Sequence, residues 1–260
     1  MNFDERPATE LVEALNVVGR VGVLVLQSGA ASFRAKDMMH RVAASLGVGR
    51  LGTLVTPTAI VVTINGVQGN YTEALRVPIL GVNMSRVSAL DALCNRIAGG
   101  ATAAQVSAML EEIEHSAPAY TPLTVVMAVA AACGAFAIVL GGSVPEFIAA
   151  AVGAAAAQTL RLRMVKRGAS PYLVTVVCAA LATAISYAFV QVLHAPLPRS
   201  GLIASVLLLV PGAPLVTSML DLVHLDLNSG VARGVYAGLL LINIGIGMLL
   251  VLAITGFTIQ

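Results

Sequence analysis

The chain contains no tryptophan, only three cysteines and only 4% aromatic residues in 260 positions. Charged residues make up 11% and hydrophobic residues 58%. An ordinary soluble domain carries about 25% charge and about 45–50% apolar residues. That imbalance excludes a disordered chain and argues against a plain cytosolic enzyme. Net charge is +2, too weak a field to recruit nucleic acid. Cys94, Cys133 and Cys178 lack CxxC spacing, so buried thiols are expected rather than a disulfide or a zinc site. No phosphate-cradling loop is present, because Gly47-Val48-Gly49 has no following Lys-Ser/Thr pair. The opening residues, with Asp4, Glu5 and Arg6, lack the positive-then-apolar order of a signal peptide.

The few charges are unevenly placed. Residues 1–116 hold nine of the 15 Lys/Arg and ten of the 13 Asp/Glu. This divides the chain into a water-soluble domain, 1–116, and a membrane domain, 117–260. In the first, Glu10–Leu26 and Ser32–Leu46 have helical apolar spacing, and each is followed by glycine. Leu51–Val55, Ala59–Ile64 and Asn70–Val77 are short and rich in Val, Ile, Thr and Tyr, hence strands, with a turn beginning at Asn65-Gly66. Met84–Ile97 and Ala103–Ile113 complete an ααβββαα pattern. Ser28, His40 and Asp37 could be read as a nucleophilic set, but no GxSxG frame supports it.

A spanning helix needs roughly 20 apolar residues. Five stretches meet that need: Tyr120–Leu140, Ser143–Leu160, Pro171–Leu193, Ser200–Leu220 and Gly234–Ile254. Arg161, Arg163, Lys166 and Arg167 form the densest basic cluster and mark that loop as cytoplasmic. The N-terminal domain is then cytoplasmic and the C-terminus outside. Small-residue pairs, Ala130/Gly134, Ala149/Gly153, Gly201/Ser205 and Gly234/Gly238, suit close helix packing.

The fourth span holds Pro211-Gly212-Ala213-Pro214 at its centre. Two prolines remove two backbone donors, and glycine lets the chain leave helical geometry. Two half-helices are expected. Opened backbone there must face protein or a water-filled cavity. A half-helix N-terminus suits a carboxylate, and freed carbonyls suit a cation. Thr217 and Ser218 add hydroxyls. Asp221 follows two turns later, with Asn228 and Arg233 as possible partners. An intramembrane carboxylate is by default a functional candidate.

Ile203–Arg233, with its ASVLLLVPGAPL core, Asp221 and the NSGVAR ending, resembles the threonine/serine exporter family, in particular the larger subunit of its two-subunit bacterial form. The similarity extends to Gln27-Ser28-Gly29-Ala30, Ala59–Thr63 and Gly81-Val82-Asn83-Met84. The resemblance implies a cytoplasmic domain, a membrane domain and export of threonine and serine or of a dicarboxylate such as succinate. It carries Pro211, Gly212, Pro214, Asp221, Asn228, Gly230 and Arg233 to a substrate site. Thr217 stands where relatives can carry Asn, and Leu225 where a Gly can occur.

The expectation is an α-helical polytopic membrane protein with five transmembrane helices, the fourth broken at PGAP, preceded by a small α+β cytoplasmic domain. It would be one subunit of a secondary exporter in the bacterial inner membrane, without cofactor or metal. Five is an odd number of spans and no second PGAP copy occurs, so a smaller membrane subunit of the same family is the expected partner. The rival reading is a membrane-anchored enzyme or sensor whose active part lies in residues 1–116.

Overall fold

The computed structural model describes residues 7–67, 69–78, 81–116 and 120–256. The chain divides into two compact units. One comprises Met1–Ala117 and Ala213–Val235; the other comprises Pro118–Gly212 and Tyr236–Gln260. Hydropathy grouped residues 213–235 with the membrane segments. Their contacts group them with the N-terminal residues.

In the first unit, α1 (Ala8–Gln27) lies against a three-stranded antiparallel sheet, and α2 (Ser32–Ser45) packs beside it. The strands are β1 (Leu51–Val55), β2 (Ala59–Gly66) and β3 (Gly69–Arg76), in the order β1-β2-β3. β2 alternates strictly. Ile60, Val62 and Ile64 are fully buried and meet the α1 stripe of Leu11, Leu15, Val18 and Val25. Asn65 and Gly66 end β2 rather than open the turn, since Gly66 pairs with Gly69. The turn position Gln68 lies outside the described residues. A Cβ on Gly66 would come 2.7 Å from Leu11, so this glycine serves packing. Helices α3 (Met84–Arg96) and α4 (Ala103–Glu114) close the core, capped by Asn83 and by a Thr102/Gln105 capping box. All three cysteines are free and buried, and burial pushes the Cys94 thiol up to about 11.

The second unit consists of α5 (Pro122–Val139), α6 (Val144–Lys166), α7 (Pro171–Val192), α8 (Pro198–Val206) and most of α10 (Leu227–Thr255). Alanine replaces bulk in its interior: Ala137, Ala150 and Ala204 form one buried cluster, and Ala157, Ala179 and Ala182 belong to another. Backbones therefore approach closely. A Cβ on Gly153 would sit 2.7 Å from the Ala182 carbonyl oxygen, and one on Gly247 would sit 2.5 Å from that of Val176. Gly153→Val is accordingly expected to separate α6 from α7 and cost about 1–3 kcal/mol. A lowered Tm of the detergent-solubilised protein would show it. Of the small-residue pairs, Gly134 packs on Phe147 and Gly201 on Val190, but Gly238 has open space around it.

Among the described residues, three helices are long and apolar enough to cross a membrane: Pro122–Val139, Pro171–Val192 and Leu227–Thr255. The bent pair Pro198–Leu209 and Gly212–Val223 makes a fourth if it counts as one span. The helix α6 is not among them. It is 23 residues long, but it carries Glu146, Gln158, Arg161, Arg163 and Lys166. Glu146 is fully buried as its capping residue. It accepts from the Ser143 N–H (2.7 Å), the Ser143 hydroxyl (2.6 Å) and the Leu197 N–H (2.7 Å), tying the start of α6 to the start of α8.

Candidate functional site

Helix α8 tightens into a 3-10 turn at Leu207–Leu209 and then stops. The cause is local. A residue before proline is driven out of helical geometry, and Val210 is extended at φ −59°, ψ 125°. A tight bond from the Gly212 N–H to the Val210 carbonyl (2.8 Å) turns the chain, and α9 (Gly212–Val223) begins. Pro214 sits in the first turn of α9, where its missing N–H has no intrahelical partner to lose. The break thus belongs to Val210-Pro211, not to both prolines.

Within the first unit α9 is two-faced. Val216, Met219 and Val223 are exposed, whereas Thr217, Ser218 and Asp221 are buried. Asp221 is 0% exposed and Arg233, near the start of α10, is 3% exposed. Arg233 Nε lies 3.2 Å from Asp221 Oδ2. That N–H has ion-pair distance but lacks hydrogen-bond alignment. The guanidinium spends its other nitrogens on the Thr217 hydroxyl (3.3 Å) and the Ala30 carbonyl (3.0 Å). The second carboxylate oxygen of Asp221 accepts from the Ser32 backbone N–H at 2.7 Å, and the Ser32 hydroxyl donates to Oδ2 at 3.2 Å. Ser32 opens α2, whose own N-cap residue, Ala31, has no side-chain acceptor. Asp221 therefore caps α2 from 189 positions away, at the helix end that favours negative charge.

The loop between α9 and α10 is equally tight. Leu225 is held at φ 61°, the left-handed region that glycine occupies without cost. This is the position where the family resemblance allows Gly. The Asp226 N–H returns to the Asp221 carbonyl (2.8 Å), closing a Schellman-type cap. Ser218 donates to the Gly230 carbonyl at 2.6 Å, and a Cβ on Gly230 would lie 2.6 Å from Leu222 Cγ. The hairpin is pinned by Lys36 pairing with Asp226, by the Ser229 hydroxyl donating to the Val55 carbonyl (3.1 Å), and by His224 stacked on Phe33 at 3.9 Å.

Of the residues singled out in the sequence, Thr217, Ser218, Asp221 and Arg233 come together in the first unit. Pro214 precedes them on α9, while Pro211 and Gly212 form the break. Asn228 does not join: it is exposed on α10, and Arg233 alone of the two proposed partners reaches Asp221. Ser32, Ala30, Lys36 and Phe33 are participants that spacing could not reveal. The family-like turns at 27–30 and 81–84 do meet. Gly81 donates to the Gln27 carbonyl (2.9 Å) and Asn83 to that of Ser28 (3.0 Å), with Gly29 at φ 86° beneath them. The Ser/His/Asp set does not assemble. The buried Ser28 hydroxyl donates to the Leu24 carbonyl (2.7 Å), Asp37 pairs with Arg41 (3.6 Å), and His40 is exposed.

This geometry can be set beside known proteins. Residues 16–255 match the family described as "Putative threonine/serine exporter". The chain is 25% identical over 237 residues to an Escherichia coli protein named "Probable succinate transporter subunit YjjP", covering 90% of this chain and 92% of the relative. A Klebsiella aerogenes protein of the same name is 24% identical over 238 residues, at 89% and 90% coverage. A Corynebacterium glutamicum "Threonine/serine exporter" is 26% identical over 221 residues, which is 82% of this chain but 45% of that protein. No solved structure matches. The matched span runs from α1 through α10. It takes in both the capping serine of α2 and the buried pair that answers it, and on that extent the chain belongs to the threonine/serine exporter family.

Proposed function

We propose that the chain is the larger membrane subunit of a secondary exporter of small carboxylate-bearing metabolites, threonine and serine or a dicarboxylate such as succinate. The observation that carries this reading is the buried Asp221–Arg233 pair directly after a break in an apolar helix. Family membership supports reading it as a transporter feature. Broken helices inside membranes are kept at substrate or ion pathways, and a buried ion pair costs desolvation wherever it lies; this one closes against Ser32 and Ala30 of the first unit. Pro211, Gly212, Thr217, Ser218, Asp221 and Arg233 carry the substrate site in this reading, and Pro214 only sits in the first turn of α9. In this reading α6 is the second of five spans, residues 1–116 are cytoplasmic and the C-terminus lies outside the bacterial inner membrane; the basic end of α6 supports that orientation. Deleting the gene should raise intracellular metabolite and lower its level in the medium. A membrane-anchored enzyme would leave that ratio unchanged.

A second subunit completes the transporter. The two E. coli-type relatives are named as subunits, and the Corynebacterium exporter is more than twice the length that this chain covers. Purified alone into liposomes, the chain should give no flux above protein-free vesicles. Adding a smaller membrane subunit of the family should restore it. Robust flux from the single polypeptide would sink the two-subunit reading.

A further inference from the structure

One buried side chain of the second unit lacks a partner that the unit itself can supply. Gln158, on α6, is 5% exposed, and its Oε1 is sealed from solvent with no hydrogen bond among the described residues. Other buried polar groups of this unit are satisfied close by. Thr175, Thr183, Ser200 and Ser205 donate to carbonyls three or four positions back, and Glu146 accepts three donors. Ser186 also lacks a partner, but rotation can bring a serine hydroxyl onto the carbonyl one turn back, as Thr183 does. Gln158 has no such recourse. Its Oε1 needs a donor, and inside a bundle the backbone N–H groups are spent along their own helices.

Packing fixes the level of this side chain. Helices α6 and α8 run side by side from a common start, where Glu146 accepts from the Leu197 N–H. Further along they meet at Gly153 and Ser205, with 3.3 Å between a Cβ built on Gly153 and that of Ser205. Ala157 then shares a buried cluster with Val206, which ends α8, and Leu209, which ends its 3-10 turn. Gln158 is the next residue on α6, so it stands at the level of the Val210–Pro211 break. The break supplies no donor. Pro211 has no N–H, and that of Gly212 bonds to the Val210 carbonyl. In the membrane reading above, an unpaired buried carboxamide is costly, and leucine would fill the same space without that cost. A solute that brings the missing donor accounts for it. A carboxamide sets one acceptor beside two donors. A fully ionised dicarboxylate has only acceptors and would leave Oε1 unpaired. A carboxylate with a neighbouring hydroxyl or ammonium answers both sides.

We infer that Gln158 is a substrate-contacting specificity residue beside the α8 break, selecting hydroxy- and amino-carboxylates over plain dicarboxylates. The inference rests on the exporter reading above and narrows its substrate class. Cells lacking the gene, complemented with the full chain or a variant, are loaded in turn with threonine, malate or succinate. Efflux above that of the uncomplemented cells is normalised to membrane protein. Malate and succinate differ by one hydroxyl. Wild type should release threonine and malate about tenfold faster than succinate, the cost of one buried acceptor left unpaired. Gln158→Leu should erase that ratio, slowing threonine and malate about tenfold while succinate stays within about twofold. Its Tm should hold, because the chain loses no hydrogen bond. Gln158→Met, which keeps the unbranched shape, should behave alike. Equal release of the three by wild type, as a bound water at Gln158 would give, overturns the inference and leaves the exporter reading standing. A Gln158→Leu variant that slows all three alike, or none, overturns it too. No release of any of the three overturns the exporter reading itself. Should neither variant fold, the wild-type ratio of malate to succinate decides alone, and a ratio near one overturns the inference.

Discussion

Asp221→Asn is expected to abolish export and to remove about 3–5 kcal/mol of stability, because it strands the buried guanidinium of Arg233 without its counter-charge. Both ends of the pair are sealed from solvent, so water cannot compensate. The amide oxygen of Asn can still accept from the Ser32 N–H, but it cannot neutralise Arg233. Stability loss alone would make the result ambiguous. The double variant Asp221→Asn/Arg233→Gln separates the causes. It leaves no unpaired charge and should regain most of the lost Tm, since replacing a whole buried pair is often neutral. Export should stay absent if the charges handle substrate or a coupling ion. A double variant that folds and exports like wild type would reduce the pair to a structural clasp.

The second large effect is expected at the helix break. Converting Pro211, Gly212 and Pro214 to Ala should favour one continuous helix from α8 into α9, at the expense of the contacts that hold α9 in the first unit, and eliminate export. Interior Pro costs about 3 kcal/mol and Gly about 1 kcal/mol relative to Ala. Because Pro214 lies in the first turn of α9 and Val210 is extended on account of Pro211, the effect should follow Pro211. Pro211→Ala alone should reproduce most of the loss, and Pro214→Ala should be close to neutral. Metabolite efflux from cells expressing each variant, normalised to membrane protein, reads this directly. Full efflux from a well-expressed triple variant would remove the break from the mechanism.

How far the sequence could be read depended on the range of the contact. Short periods were legible. The stripe Leu11, Leu15, Val18 and Val25 gave α1, and the alternation through Ile60, Val62 and Ile64 gave the central strand. Pro211 announced its break because its effect is confined to the residue before it. Thr217, Ser218, Asp221 and Arg233 were legible together, since helical spacing and one short loop connect them. Asn228 looked equivalent on spacing, yet it emerges on the exposed side of α10. Nothing within twelve residues of Asp221 says that its carboxylate faces the start of α2, or that Lys36 waits for Asp226. Such pairings arise only when distant segments pack. The grouping of residues 213–235 with the N-terminal unit was hidden for the same reason. Hydropathy records what α9 shows on its exposed face, with Val216, Met219 and Val223, and is silent about the polar face that decides where it docks.

The cap that Asp221 provides for α2 also imposes a schedule on synthesis. The helices and strands up to residue 116 leave the ribosome first, and their sheet and core can form at once from neighbouring segments. The first turn of α2, with Ala31 offering no acceptor of its own, stays open until the α9–α10 hairpin arrives. Roughly a hundred residues of membrane helix must be made and inserted in between, which at about 5–20 residues per second takes about 5–20 s. For that interval the Ala30 carbonyl, the Ser32 amide and the Lys36 ammonium are unclaimed and wet. The nascent chain therefore carries a half-built first unit, and the end of α2 is completed only when residues 213–235 have been made.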